Sequence, residues 1–391
     1  MPLKQGIINH YEAKIKISTP NYQIIEGDFV DKKSLNWREF YAQTPFSRLH
    51  PPMPSASPDS PLQNPSLAFG DLAILTSGGD SPGMNACIRA LVRSGIYYGH
   101  RVWGVVRGYD GLIQDDFRPM DLRSVGNIIH RGGTILKSAR SEEFRTAEGR
   151  RKAYENLAKR NIKALVVVGG DGSFRGANVF SEEYPIAVMG LPGTIDNDLY
   201  GTDYTIGFDT ATNTVVECID KIRDTADAHN RLFFIEVMGR DAGYIALNGG
   251  IAAGCEDILI PETKTDLSEL VEVLKKGRAN HKSSGLIIVA EGEEEGGAYE
   301  IARKVAEQFD GYEMKVTILG HIQRGGSPSY FDRVLASRLG VAAIEGLRQG
   351  QSRVMAGIIN NKVVYTPIHE AVKNPTQLDL DLYRISKILA I

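Results

Sequence analysis

Short, nearly unbroken runs of Val, Ile, Leu and Ala recur along the body of the chain, near residues 71–76, 102–106, 164–168, 186–190, 232–237, 256–260, 285–290 and 314–319. Continuous apolar runs of this length fit strands of parallel sheets covered on both faces, whereas alternation would mark half-exposed strands. Between them the period lengthens to that of a helix. From Asp209 to Thr225, Val215, Val216, Ile219 and Ile222 share one face behind a capping Asp209, while Glu217, Asp220 and Arg223 look outward. Another helical run begins near Met84. Repeated strand, loop and helix predict an α/β fold.

Chemistry gathers where the strands stop, the end at which open α/β sheets bind ligands. Asp71–Leu75 runs into Thr76-Ser77-Gly78-Gly79-Asp80 ahead of a helix, a turn whose backbone N–H groups suit phosphate. Ala164–Val168 runs into Gly169-Gly170-Asp171-Gly172-Ser173. The acidic residue inside that turn suits a phosphate-bound Mg²⁺ better than bare phosphate, which Asp alone would repel. Ile186–Met189 leads to Pro192-Gly193-Thr194-Ile195-Asp196-Asn197-Asp198. In a locally extended loop both carboxylates lean toward one site, one to accept a proton and the other to hold a cation. Taken singly, each glycine segment is equally an ordinary tight turn, and the Asp-rich loop a capped one. Neither glycine turn matches GxxxxGK[ST] or a full GxGxxG, so P-loop and dinucleotide readings are weak.

Composition narrows the field. A chain of 391 residues can bury a sizeable core and splits most simply into two lobes and an appendage. Lys and Arg number 45 against 48 Asp and Glu, so charge gives no basis for a nucleic-acid partner. Cys87, Cys218 and Cys255 are far apart in apolar or helical contexts and read as reduced buried thiols. No apolar run reaches the eighteen or so residues of a membrane span. The opening carries Lys4, Glu12, Lys14 and Lys16, then Glu26, Asp28 and Asp31, which fits neither a secretory signal nor a transit peptide; a cytoplasmic protein is expected. Six of the seventeen prolines lie between Leu49 and Pro65, an extended tether, and upstream Tyr22, Ile24, Ile25, Phe29, Trp37, Phe40 and Tyr41 could dock as an arm on this or a neighbouring subunit.

In unbroken order stand TSGGDSPGMNACIRALVR, GGTILKSAR, GGDGS, PGTIDND, GTDYTIGFDTA, EVMGRDAGYIA and LGHIQRGGSPSYFDR. From about Asp71 to about Gly350 these segments resemble the 6-phosphofructokinase family, in its ATP-dependent branch. The resemblance implies two lobes with Rossmann-like parallel sheets flanked by helices, after an N-terminal extension of residues 1–70. The larger, nucleotide-binding lobe takes residues 71–206 and 323–391, part of whose tail can pack on the smaller; the smaller, sugar-phosphate lobe takes 207–322. It implies transfer of the γ-phosphate of MgATP to the 1-hydroxyl of fructose 6-phosphate, in a homotetramer with sugar sites shared between subunits.

Position by position, the resemblance makes Asp196 the base for the sugar hydroxyl, Asp171 and Asp198 the magnesium carboxylates, Thr194 their neighbour on the transferring group, and Arg240 the arginine on the γ-phosphate. Gly78, Tyr109, Arg140, Ser141, Gly170, Gly172 and Ser173, with Asp171, match the ATP site. Met238, Gly239, Glu291, His321 and Arg324 match the sugar site. Arg231 and Lys315 match cations that reach the 6-phosphate from a neighbouring subunit, although Lys315 stands where Arg is usual and loses the bidentate fork. Arg89, Arg93, Arg223, Glu256 and Lys282 keep part of an effector-site pattern, while Leu122, Asn127 and Asn280-His281-Lys282-Ser283 depart from it. Arg89 and Arg93, one helical turn apart, are equally a solvated helix face. Pyrophosphate-using relatives carry Asp and Lys where this chain has Gly172 and Gly193, so ATP is the expected donor and pyrophosphate the runner-up. NAD and lipid kinases share a similar acidic glycine turn but lack LGHIQRGG and EVMGR. A non-catalytic subunit of the same fold would have lost Asp196 or a magnesium carboxylate.

Overall fold

The computed structural model describes residues 70–374 and 376–390, so the expectations for the N-terminal extension lie, Gly70 apart, outside the described residues. Two sheets organise the described chain. The first holds β1 (Asp71–Thr76), β2 (Val102–Val105), β3 (Phe117–Met120), β4 (Ile162–Gly169), β5 (Ala187–Thr194), β6 (Ile206–Gly207), β11 (Val354–Ile359) and β12 (Lys362–Pro367). Its order is β12-β11-β5-β4-β1-β2-β3, with β6 beside the end of β5. Pairing is parallel except at the two margins, where β3 and β12 run antiparallel to their neighbours. The second sheet is wholly parallel, in the order β10 (Glu313–Ile318), β7 (Arg231–Val237), β9 (Gly285–Ala290), β8 (Asp257–Leu259).

The continuous apolar runs are explained by two buried faces. Along β1, Leu72 and Ile74 enter one core cluster and Ala73 and Leu75 another, and β4 divides in the same way. In the second sheet Phe233, Ile235 and Val237 face one cluster, Leu232 and Phe234 the other. Helices α1 (Met84–Tyr97) and α9 (Tyr330–Arg348) cover the first sheet on one side. On the other lie α2 (Gly108–Ile113), α3 (Ala147–Lys159), α4 (Asp171–Glu183) and α10 (Ile368–Lys373). The second sheet lies between α5 (Phe208–His229), α6 (Tyr244–Ala253) and α11 (Leu380–Leu389) on one face, and α7 (Leu267–Ala279) and α8 (Ala298–Ala306) on the other. Each fully buried Leu, Ile or Phe contributes roughly 1.5–3 kcal/mol.

All eight expected strands are present, most within one or two residues of the expected limits. Four were not anticipated: β3, whose Arg118 and Pro119 are exposed at the margin, the two-residue β6, and the two strands of the β11–β12 hairpin. The amphipathic helix begins one residue before Asp209, and Asp209 does not cap it. Gly207 holds the cap position with φ +109° and no side chain of its own to offer. Val215 and Ile219 are buried, but Val216 and Ile222 only half so. Arg223, expected to look outward, is half-buried and donates to the carbonyls of Ala253 and Gly254, closing the end of α6. Cys87 and Cys255 are buried, Cys218 half-buried, and all three are free. No helix among the described residues is long and apolar enough to cross a membrane.

Candidate active site

Strand ends place the functional side chains. A cleft of about 770 Å³ opens over the carboxyl ends of β1, β4 and β5, and Arg240 and Arg324 close its far side from loops of the second sheet. Register explains the proximity: Gly169 of β4 pairs with Pro192 of β5, and a Cβ on Gly170 would lie 3.6 Å from that of Thr194. Asp171 opens α4, where the helix dipole favours a negative charge.

The loop after β5 aims its carboxylates by a clamp at Asn197. That residue adopts a left-handed φ of +56°, receives the N–H of Thr205 at 2.7 Å and donates to the carbonyl of Asp203 at 3.2 Å. Asp196 and Asp198 on either side are thereby presented to the cleft. The backbone N–H of Asp196 reaches the hydroxyl of Thr194 at 3.2 Å. Oδ1 of Asp196 is buried without a hydrogen-bond partner among the described residues. Burial pushes the Asp196 carboxyl above its ordinary range against the pull of Arg324. Asp198 is pushed up to about 6, first by burial and then by repulsion from Asp196 and Asp171. The three acidic groups were expected in two loops, Asp171 in one and Asp196 with Asp198 in the other. Those loops are the ones after β4 and after β5.

Arginines answer this charge. Arg240, itself at φ +56° after Gly239 at φ +148°, places Nη1 3.0 Å from Asp171 Oδ1, and its N–H donates to Glu291 at 2.7 Å. A Cβ on Gly239 would come within 2.3 Å of the Ala242 carbonyl, so the turn that aims Arg240 requires glycine. Arg324 covers Gly79 and donates to the Asp80 carbonyl at 3.3 Å. The fully buried Gln323 accepts from the Met238 N–H at 3.2 Å, joining the one-turn helix Gly320–Arg324 to the end of β7.

Every residue expected at the ATP site lines the cleft: Gly78, Tyr109, Arg140, Ser141, Gly170, Asp171, Gly172 and Ser173. So do Thr194, Asp196, Asp198 and Arg240. The Tyr109 hydroxyl donates to the Ser173 carbonyl and its ring stacks on Phe144 at 4.1 Å, giving the cleft a flat apolar wall. Met238, Gly239, Glu291 and Arg324 adjoin at the ends of β7, β9 and β10, with His321 exposed on the same short helix as Arg324. Arg231 and Lys315 do not join them. They sit toward the opposite end of the second sheet, both paired with Glu313, which they hold down at about 2. Arg223, Glu256 and Lys282 gather near the start of β9, where Glu256 meets Lys282 at 3.1 Å, whereas Arg89 and Arg93 lie on α1 against the other sheet. Sequence reasoning passed over the cleft residues Phe144, Arg145, Arg150 and Val179. Their only sequence signal is the density of arginine over residues 140–151.

Among the described residues no three His, Cys, Asp or Glu side chains approach closely enough to hold a metal by themselves. A divalent cation would therefore need further oxygens from a ligand, and the unpartnered Asp196 Oδ1 and the raised Asp198 leave negative charge in the cleft for it to meet.

The phosphofructokinase family profile matches residues 71–347, and the chain belongs to that family. It is 56% identical over 318 residues to an ATP-dependent 6-phosphofructokinase of Cytophaga hutchinsonii, covering 81% of this chain and 97% of that protein. To the ATP-dependent 6-phosphofructokinase 1 of Thermus thermophilus it is 53% identical over 320 residues, 82% of this chain and 99% of that one. Among solved structures, phosphofructokinase from Saccharomyces cerevisiae superposes with a TM-score of 0.75 at 38% identity, covering 82% of this chain, which spans 48% of the yeast chain. A pyrophosphate-dependent phosphofructokinase from Marinobacter aquaeolei shares the fold, with a TM-score of 0.70 at 23% identity over 80% of this chain and 86% of that one.

Proposed function

We propose that this chain is an ATP-dependent 6-phosphofructokinase, transferring the γ-phosphate of ATP to the 1-hydroxyl of fructose 6-phosphate in glycolysis. The observation that carries the reading is Asp196, with a buried and unpartnered Oδ1, lining a cleft whose other walls include the glycine turns, Arg240 and Arg324. Phosphoryl transfer asks a protein mainly for positioning and charge neutralisation. Asp196 accepts the hydroxyl proton as oxygen attacks phosphorus in line; its raised pKa makes it a stronger base than an exposed carboxylate. Arg240 leaves Asp171 for the γ-phosphate, and Thr194 positions the transferring group. Asp171 and Asp198 are the residues that would hold Mg²⁺, directly or through water, and the cation supplies shielding of the phosphate charge. We read the first sheet with its helices as the nucleotide lobe and the second as the sugar lobe.

Fructose 6-phosphate lies between Asp196 and the Met238, Gly239, Glu291, His321 and Arg324 group. Arg231 and Lys315 serve the site of a neighbouring subunit in a homotetramer, a reading supported by their distance from the cleft of their own chain and by exposed Tyr330, Val334, Ile322 and Ile318. Substrates of this kind, ATP and a phosphorylated sugar, support a cytoplasmic location. Asp196→Ser should lower kcat by roughly 10²–10⁴-fold while fructose 6-phosphate still binds measurably. A coupled assay for fructose 1,6-bisphosphate, with ATP and pyrophosphate at equal Mg²⁺, tests the whole reading. Activity with pyrophosphate alone would replace the donor, and near wild-type turnover by the Ser variant would remove the base.

A further inference from the structure

Asp332 takes no part in the chemistry above, yet it is a carboxylate with no solvent exposure. It lies in the first turn of α9, 122 residues from Thr210 in the helix it serves. Oδ1 accepts the Gly207 N–H at 2.8 Å; Oδ2 accepts the Thr210 N–H at 2.9 Å and the Thr210 hydroxyl at 2.5 Å. These are the bonds a cap residue normally makes to its own helix, here made to α5, whose cap position is a glycine. The Thr210 hydroxyl in turn accepts the Ser329 N–H at 2.9 Å, and Ser329 caps α9. A third helix end adjoins: a Cβ on Gly83, the cap of α1, would lie 3.5 Å from Asp332 Cβ, and one on Gly207 would meet Ser81 at 2.5 Å.

Three helix N-termini thus converge on one negative charge, which each dipole favours. Burial nonetheless pushes its pKa up to about 6 against the three donors, so keeping it ionised is costly. A merely local cap would not need that cost, since an acidic Asp209 already stands in the first turn of α5. The joined segments are those that matter: Ser329 follows Arg324 by five residues, α5 follows the Asp196 loop, and α1 follows the first glycine turn.

We infer that Asp332 is a positioning residue, whose carboxylate, through Thr210 and Ser329, fixes the segment bearing Arg324 against the start of α5 and so aims Arg324 into the cleft beside Asp196. The inference rests on the kinase reading. Its hydrogen bonds all reach α5 and the Arg324 segment, whereas the nucleotide turn is touched only through packing at Gly83, so the sugar side should suffer first. In Asp332→Asn an NH₂ must face a backbone N–H, and Thr210→Val removes the shared hydroxyl.

Steady-state kinetics of the full chain should show kcat lowered tenfold or more and KM for fructose 6-phosphate raised at least threefold in each variant, with KM for ATP within twofold. Thr210→Ser should restore both, and the double variant should be no worse than the poorer single one, because one network is broken twice. If D332N does not fold, the Thr210 pair decides alone. Wild-type parameters in the folded variants, equal rises in both KM values, or losses that merely track the unfolded fraction would overturn the inference. Wild-type protein measured alongside separates the two claims: without sugar phosphorylation the functional reading falls, while an active wild type with unaltered variants sinks this inference only.

Discussion

In the proposed mechanism Asp198 should set the acid limit of the site. Its carboxyl titrates near 6 because burial and the neighbouring carboxylates oppose its charge, so below that pH it is protonated and a poor cation ligand. The pH profile of kcat/KM should therefore fall on the acid side through about 6, and the limb for kcat should lie lower, because bound MgATP favours the ionised form. Stability moves the other way. A folded-state pKa raised from 3.8 means the native protein binds the proton more tightly than the unfolded chain, so ionisation costs stability above pH 6 and the cost is relieved as pH falls toward 4. Asp198→Asn should then lose activity by at least roughly a hundredfold yet melt about 1–3 °C higher at pH 8. A lower melting temperature in that variant would show that the charge is better compensated than its surroundings suggest. At this scale the sequence marked residues that the fold does bring to one cleft, as at Asp171, Asp196 and Arg240. It was silent where the role depends on a distant partner: nothing in the string links Asn197 to Thr205 as a clamp or Asp332 to Gly207.

At the scale of elements, two glycines that look alike in sequence differ in their surroundings. A Cβ on Gly172 would meet nothing within 4 Å, since the residue lies on the open first turn of α4. A Cβ on Gly193, inside β5, would come within 2.8 Å of Val168 and 3.2 Å of Met84. Gly172→Asp should consequently fold normally and raise KM for ATP, whereas Gly193→Ala should cost about 1–3 kcal/mol by overpacking. Urea melts and initial rates on both variants check this; equal destabilisation would contradict the contrast. The same packing explains which strands were legible. β1, β4 and β9 are buried on both faces and read as unbroken apolar runs. β3 is a margin strand whose exposed Pro119 needs no partner for a missing N–H, and β12 is mostly half-buried, so neither has a long apolar signature. The hairpin joining β11 to β12 did leave a mark in Asn360-Asn361, both at positive φ, as a tight hairpin turn prefers.

For the whole molecule, the proposed tetramer would have a second chain supply Arg231 and Lys315 to the sugar site. Both now rest on Glu313 of the margin strand β10. Lys315→Arg should lower KM for fructose 6-phosphate about two- to fivefold through a bidentate contact, without changing KM for ATP. Kinetics run beside an oligomer-mass measurement test this, and an unchanged sugar KM in an intact assembly would take Lys315 out of the site. Among the described residues, fold class and most of the loops at strand tips were legible in the apolar runs; which tips share a cleft followed from the family resemblance and not from the residue pattern, since strand order is a property of the sheet. That order has a consequence for how the protein is made. β5 gains its outer neighbour β11 only after the whole second sheet has been synthesised, from Thr194 to Val354. At ribosomal speed the wait is roughly ten to thirty seconds. During it the backbone of β5 at Met189 and Gly190, set among apolar side chains, waits for its partner, so a nascent-chain chaperone or an early partner along that edge would guard this protein from aggregation at birth.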